Sequence, residues 1–298
     1  MSDAPILVAG ATGKLGMKIC QRLVAQGRSV RALVRPTSPA ERRQRLDELG
    51  IELVEGDIER PETLGAAVSG VGKVITTAST FPADPRPDAI ERVERQGTIN
   101  LVDAAAAEGT GRFVYMSLYR VPHDYAHQSA KLAAEQHLIA SGLEYAILQP
   151  SLFMEVWFSP PLGFDLARGT VQVFGPGTAA LSWISEEDVA DYTIWALDAE
   201  AAANQMIELG GPETLSQLDA VAIHEELLGT TLERVHVPLE ALEQQLLEAE
   251  GPTGRSVAGI MLQVARGGEA HLSEVARAAG IRGTTVRDLV ERKARERA

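Results

Sequence analysis

The run Ile6-Leu-Val-Ala-Gly-Ala-Thr-Gly-Lys-Leu-Gly16 constrains this chain more than any other part of it. Its opening apolar residues, Ile6 to Ala9, read as a buried parallel strand. Gly10, Gly13 and Gly16 follow, and a helical pattern starts at once. In such a turn the first glycine lets the chain reverse. The second lets the backbone approach a pyrophosphate, and the third lets helix and strand pack closely. The helix that begins here aims free N–H groups and the positive end of its dipole at phosphate. A plain glycine-rich strand-to-helix turn is the bland alternative. The placement on the first strand, with Thr12 among the glycines and a second strand at the right distance, favours a dinucleotide held by Gly10, Ala11, Thr12, Gly13, Lys14, Leu15 and Gly16.

The 298 residues suffice for one large α/β domain or for a nucleotide domain with a smaller companion. A formal net charge of -13 argues against general binding to nucleic acid or anionic membrane, both of which need a positive field. No apolar run approaches the ~20 residues of a membrane span, and no basic-then-apolar leader opens the chain. A cytoplasmic protein is the expectation. Cys20, alone of its kind, sits in the first helical pattern and reads as a small buried apolar residue.

Strand and helix patterns then alternate. Helix Met17–Gln26 is followed by strand Ser29–Val34, and charged helix Ala40–Leu49 by strand Ile51–Val54. Helix Pro61–Ser69 precedes strand Val71–Ala78, and helix Asp88–Glu108 precedes strand Arg112–Met116, closed by Ser117. This spacing is that of a parallel, doubly wound sheet with right-handed crossovers. A proline-rich loop, Phe81 to Pro87, precedes the long helix. Where the second strand ends, a carboxylate would bind both ribose hydroxyls and repel a 2′-phosphate. Arg35 stands there instead, with Thr37 and Ser38 behind it, so NADP is favoured over NAD, although a surface arginine can simply be solvated. Asp57 can accept from an adenine amino group, with Ile58 packed on the ring; equally, Asp57 can cap the turn before Pro61. Thr77, Ala78 and Ser79 end the fourth strand near the cofactor's middle.

His127 to Pro150 carries the chemistry-bearing residues, on a helix ended by Gly142 and a strand, Tyr145–Leu148. Lys131 lies one turn after His127, so both project from one face. Lys131 can also be a solvated partner of Glu135 at i,i+4. Spacing alone leaves this open.

Taken together, the Gly10–Gly16 run, Leu33-Val34-Arg35, Val54-Glu55-Gly56-Asp57, Phe113-Val114-Tyr115-Met116-Ser117, the Lys131…Glu135…Ser141-Gly142-Leu143…Pro150 series and Trp183–Ala190 resemble the atypical short-chain dehydrogenase/reductases. The likeness is to the NmrA-like branch that includes the isoflavone and phenylcoumaran ether reductases, and it spans about residues 5 to 210. It implies NADP on a Rossmann fold, hydride transfer to a small organic acceptor in catalytic members, and proton transfer or nicotinamide-ribose contact by Lys131. Pro150, from the same series, joins the cofactor set, together with Ser151 and Phe153 directly after the Tyr145–Leu148 strand, where a pocket would open onto the cofactor. The chain departs from the main short-chain pattern at one place: His127 occupies the position of the tyrosine four residues before the lysine, and Tyr125 is off by two. The expected catalytic set is therefore Lys131, His127 and Ser117, the histidine qualifying because its ordinary pKa lies near neutrality. A non-catalytic NADP-binding sensor that regulates a protein partner is the rival, since the branch contains such members.

Residues 1–155, with later returns near 182–210, are read as the NAD(P)-binding domain, and 156–298 as a smaller, mostly helical substrate-binding lobe. Ser151–Phe158, apolar and aromatic, is either pocket wall or core. Ser185 is an N-cap for a helix through Leu197. His271–Lys293 has the pattern of helix, glycine turn, helix, and residues 271–298 hold seven Lys/Arg against four Asp/Glu, so DNA binding is the least favoured reading. The histidines show no metal-site grouping, and no metal is expected.

Overall fold

A computed structural model describes residues 4–80, 84, 86–268 and 270–297. The chain divides into two compact units: 1–118 with 127–149 and 190–207, and 119–126 with 150–189 and 208–298.

In the first unit, strands β1 (Ile6–Ala9), β2 (Val30–Val34), β3 (Glu52–Glu55), β4 (Lys73–Thr76), β5 (Arg112–Met116) and β6 (Glu144–Pro150) run side by side with an edge strand, Gln205–Leu209. The spatial order is edge strand, β6, β5, β4, β1, β2, β3. The pairings from β3 through to β6 are parallel, with Ile6 opposite both Val30 and Lys73. This is the doubly wound Rossmann arrangement. Its order reverses between β1 and β4, the place where such sheets open a crevice at their carboxyl ends. The strands read as apolar runs because helices cover both faces. These are α1 (Lys14–Ala25), α2 (Ala40–Glu48), α3 (Leu64–Val68), α4 (Thr98–Glu108) and α5 (Ala126–Ala140). Leu7, Val74, Phe113, Ile147 and Leu138 lie in the core without solvent contact.

Local details differ from the sequence pattern for physical reasons. The first helix begins at Lys14, not Met17, because Gly13 takes an extended conformation as N-cap and its carbonyl accepts from the Met17 amide. The helix before β4 opens as a 3₁₀ turn, Pro61–Thr63. The long helix divides into a π-helix, Ile90–Gly97, and α4. Of the expected loop 81–87, residues 81–83 and 85 lie outside the described residues. Cys20 is buried, and burial pushes its thiol up to about 12, as suits a core residue.

Among its described residues, the second unit holds two three-stranded sheets and four longer helices, Gln217–Leu228, Leu239–Glu248, Gly251–Arg266 and Val286–Arg297. Thr170–Phe174 lies between Phe164–Asp165 and Glu233–Val237, and Leu181–Ile184 lies between Leu152–Phe153 and Thr214–Leu215. Trp157, Phe158, Phe174 and Trp183 form its aromatic centre, with Phe158 and Trp183 rings 5.0 Å apart. Met154, Trp157 and Phe158 are therefore core residues. Near the C-terminus the order helix, glycine turn, helix is kept, with left-handed Gly280 in the turn, but its first helix is short and its connection long. Ser273 caps a helix of only four residues, Glu274–Arg277, and the chain then runs without helix to Val286, with Thr284 tied to Asp188 by its amide (2.7 Å) and hydroxyl (2.6 Å). No helix among the described residues is long and apolar enough to cross a membrane.

Arg112, at the start of β5, is almost wholly buried. Its Nε meets Glu144 at 2.5 Å, and its Nη1 donates to the carbonyls of Ala196 (2.9 Å) and Ala199 (2.8 Å). Arg112→Ala strands the Ala196 and Ala199 carbonyls, while the half-exposed Glu144 stays solvated, so it should lower stability by about 2 kcal/mol. Urea unfolding should show this as a lower midpoint with an unchanged slope.

Candidate functional site

A cavity of about 570 Å³ opens at the carboxyl ends of β1 to β4, within the range of cofactor sites. Its floor is the glycine turn. Gly10 has φ +84°, and a Cβ there would sit 2.7 Å from Thr77 Oγ1 and 2.8 Å from the Ala78 amide nitrogen. A Cβ on Gly16 would lie 2.2 Å from the Gly10 carbonyl oxygen. Only hydrogen fits at either place, and the start of α1 is thereby drawn under the cavity with Thr12 and Gly13 on its wall.

After β2 the chain turns through Arg35–Ser38. The Ser38 hydroxyl accepts from the Arg35 amide at 3.1 Å, and the Ser38 amide donates to the Arg35 carbonyl at 2.9 Å. Arg35, Ser38 and Arg42 all border the cavity, and Arg42 is steered there by a 2.8 Å bond from its Nη1 to the Thr12 carbonyl. Two guanidinium groups and a hydroxyl stand at the end of β2, with the Asp84 carboxylate on the same cavity rim; the guanidinium groups and the hydroxyl suit a phosphate monoester. Asp57 borders the cavity and also caps its own turn, accepting from the Glu59 amide at 3.0 Å; Ile58 lies beside it. Thr77, Ala78 and Ser79 form the opposite wall. The residues present thus fit a dinucleotide with a 2′-phosphate.

Not every residue named from the sequence reaches this cavity. Ala11 is buried beneath it, and Lys14, Leu15, Gly16 and Lys131 are outside its lining. Pro150, Ser151 and Phe153 belong to the second unit, as does Tyr125, which packs on Gly259. Several lining groups had no sequence signal that separates them from ordinary surface charge. Arg42, Glu59, Thr80, Asp84 and Arg86 are among these, the last holding Glu59 through both terminal nitrogens (2.9 and 2.6 Å).

Next to the Ser79–Thr80 wall lies a buried ionic cluster. Glu94, on the π-helix, has no solvent exposure. Its Oε1 accepts from Ser79 Oγ (2.7 Å), the Thr80 amide (2.6 Å) and Thr80 Oγ1 (3.0 Å), and its Oε2 pairs with Lys131 Nζ at 3.0 Å. Lys131 also donates to the Met116 carbonyl (3.0 Å) and lies over the Tyr115 ring. His127 Nδ1 is 3.7 Å from Glu94. Lys131 is thus no solvated partner of Glu135. That carboxylate is itself buried and accepts from Ser117 Oγ (2.5 Å) and Gln149 Nε2 (2.9 Å). Glu94 escaped the sequence reading, but a signal existed: an acid on the same helical stripe as the buried Ile90, Val93 and Gly97.

Charge follows geometry here. Burial alone pushes the Glu94 carboxyl up, but the Lys131 ammonium and the Thr80 and Ser79 donors outweigh it and bring it down to about 2. Burial pushes Lys131 down, and Glu94 more than reverses that, raising it above its ordinary value. His127 is lowered by burial, helped by Lys131 and opposed by Glu94, to about 4. The expectation that His127 titrates near neutrality therefore does not hold: the apolar surround disfavours the imidazolium. Among the described residues no three His, Cys, Asp or Glu stand together as metal ligands.

The profile of the NmrA-like family matches residues 2–267, and this chain belongs to that family. Among curated relatives, the Photosystem II assembly factor Ycf39 of Guillardia theta is 30% identical over 240 residues, covering 80% of this chain and 74% of its own. The Phenylcoumaran benzylic ether reductase IRL1 of Ginkgo biloba is 27% identical over 271 residues, covering 85% and 84%. Among solved structures, the NADPH complex of the Escherichia coli quinone oxidoreductase QOR2 superposes with a TM-score of 0.78 over 97% of this chain and 99% of that one, at 19% identity, a likeness of fold.

His127 and His224, the latter also lowered by burial to about 4, are buried neutral. The unfolded chain binds their protons from about pH 6.5 downward while the folded chain does not, so stability should fall as pH drops from about 6.5 to 4. Denaturant midpoints measured across that window should show the fall, and His127→Gln or His224→Gln should each flatten it.

Proposed function

We propose that this chain is an NADPH-dependent oxidoreductase acting on a small organic acceptor such as a quinone or enone. The observation that carries the reading is the cavity whose floor includes Gly10, where no Cβ fits, and whose β2 end presents Arg35, Ser38 and Arg42. In this reading Thr12, Gly13 and the N-terminus of α1 take the pyrophosphate, and Arg35 and Arg42 take the 2′-phosphate. Asp57 and Ile58 border the adenine. The bound dinucleotide supplies hydride. Lys131, held as an ammonium, carries the proton-handling and ribose-orienting role, with Ser117 and His127 as its neighbours in the helix-and-strand frame. Residues 156–298 are assigned as the substrate-binding lobe. Family membership and the reductase named among the relatives support the same class.

A second reading, an NADP(H)-binding protein that acts through a protein partner, is favoured by one feature. Lys131 and Ser117 are already engaged, with Glu94 and the Met116 carbonyl in one case and with Glu135 in the other. The assembly factor among the relatives is in keeping with it.

Calorimetric titration with NADPH and NADH, followed by a quinone and enone panel, separates the readings. The expected outcome is selective NADPH binding with acceptor-dependent oxidation. Selective binding without turnover moves the assignment to the partner-regulating reading, and no binding of either nucleotide removes both. In the same assay, Arg35→Ala and Arg42→Ala should each weaken NADPH by about tenfold or more while leaving NADH little changed, the loss of a charge-assisted phosphate contact.

A further inference from the structure

Among the described residues, the Glu94 carboxylate is the fully buried acid that touches both the cavity wall and the Lys131–His127 pair, and the reading above gives it no task. It sits on the π-helix rather than on α5 or β4, and two other stretches of chain, Ser79–Thr80 and α5, converge on its two oxygens. One oxygen takes three donors from Ser79 and Thr80, both of which line the cavity. The other takes the ammonium of Lys131. π-Helical turns commonly mark functional positions, and here the wider turn carries the acid.

We propose that Glu94 is a positioning residue: it fixes the Ser79–Thr80 wall of the cofactor cavity with one oxygen and keeps Lys131 an ammonium with the other. The first half rests on the reading that the cavity takes a dinucleotide; the second does not. A buried ammonium without a counter-charge sheds its proton, because desolvation penalises the charged form. The remaining groups around Lys131 cannot replace Glu94. The Met116 carbonyl is neutral, the Tyr115 phenol beside the ammonium is kept protonated by burial, which pushes it up to about 12, His127 is uncharged at neutral pH, and Glu135 is engaged by Ser117 and Gln149. Arg95 on the same π-helix adds positive charge, not negative. Neutralising Glu94 therefore discharges Lys131 as well.

The test uses the full chain without ligand. In the wild type, Lys131 is raised above its ordinary 10.5, so its contribution to stability is constant below that pH and is lost only above it. In Glu94→Gln the folded-state value drops below 10.5, the unfolded chain then binds the extra proton, and stability should rise with pH up to about 10.5. Urea midpoints between pH 6 and 10 should be flat with respect to this group in the wild type and climb in E94Q. The double variant E94Q/K131M, which removes both charges, should regain much of the stability lost in E94Q and show a flat profile. It also serves if E94Q does not fold, since recovery of folding in the double variant identifies the stranded ammonium as the cause. A flat profile in a folded E94Q, or a double variant no more stable than E94Q, overturns the charge-holding role.

NADPH titration tests the other half. Affinity should be several-fold lower in E94Q/K131M than in K131M alone, a difference that loss of Lys131's own ribose contact cannot produce. Equal affinity in those two variants overturns the wall-fixing role. If the wild type binds no dinucleotide, the function proposed above fails and with it the wall-fixing half, while the pH profile of the ligand-free chain still decides the charge-holding half.

Discussion

A carboxylate and an ammonium share a space from which water is excluded, and much of the first unit is tied to that pair. Glu94 and Lys131 lie 3.0 Å apart with neither side chain appreciably exposed. Each charge is tolerable only because the other is present and because Glu94 Oε1 and Lys131 Nζ find further partners in Ser79, Thr80 and the Met116 carbonyl. The pair thereby connects the end of β4, the π-helix, the end of β5 and α5. His127 is neutral as a consequence of the same dry surround, not through any feature of its own.

The glycine turn acts as a second, steric constraint of a different kind. At Gly10 and Gly16 the limit is hard contact between backbone atoms, so the close approach of β1, α1 and the Thr77–Ala78 segment depends on the missing Cβ. Electrostatics sets which groups are charged beside the cavity; sterics sets that a cavity exists at the sheet's switch point at all.

Much of the fold was readable from the chain because its cues are local. Apolar runs of strand length, glycine punctuation and alternating helix patterns marked out β1 to β6 and the parallel order, and Arg35 marked the end of β2. What stayed hidden depended on tertiary placement. Lys131 and Glu135 stand four residues apart on α5 and look like a surface pair, yet they turn to different partners, Glu94 and Ser117, that lie far along the chain. Arg86 and Asp84 resembled loop charges until the fold set them on the cavity rim. In the terminal helix, glycine turn, helix segment the short first helix and the long connection were not legible, and Thr284 in that connection is tied to Asp188, far along the chain.

The first unit is assembled from three separated stretches, 1–118, 127–149 and 190–207. Its edge strand, and the carbonyls of Ala196 and Ala199 that receive Arg112, come from the last of them. During synthesis the amino-terminal half therefore emerges with an open sheet edge beyond β6 and a buried arginine that has Glu144 but lacks its two carbonyl acceptors, and it must wait for about two-thirds of the chain before either is satisfied. Both units consequently mature together rather than one after the other, and a chain cut near residue 155 would not yield a self-sufficient nucleotide-binding module.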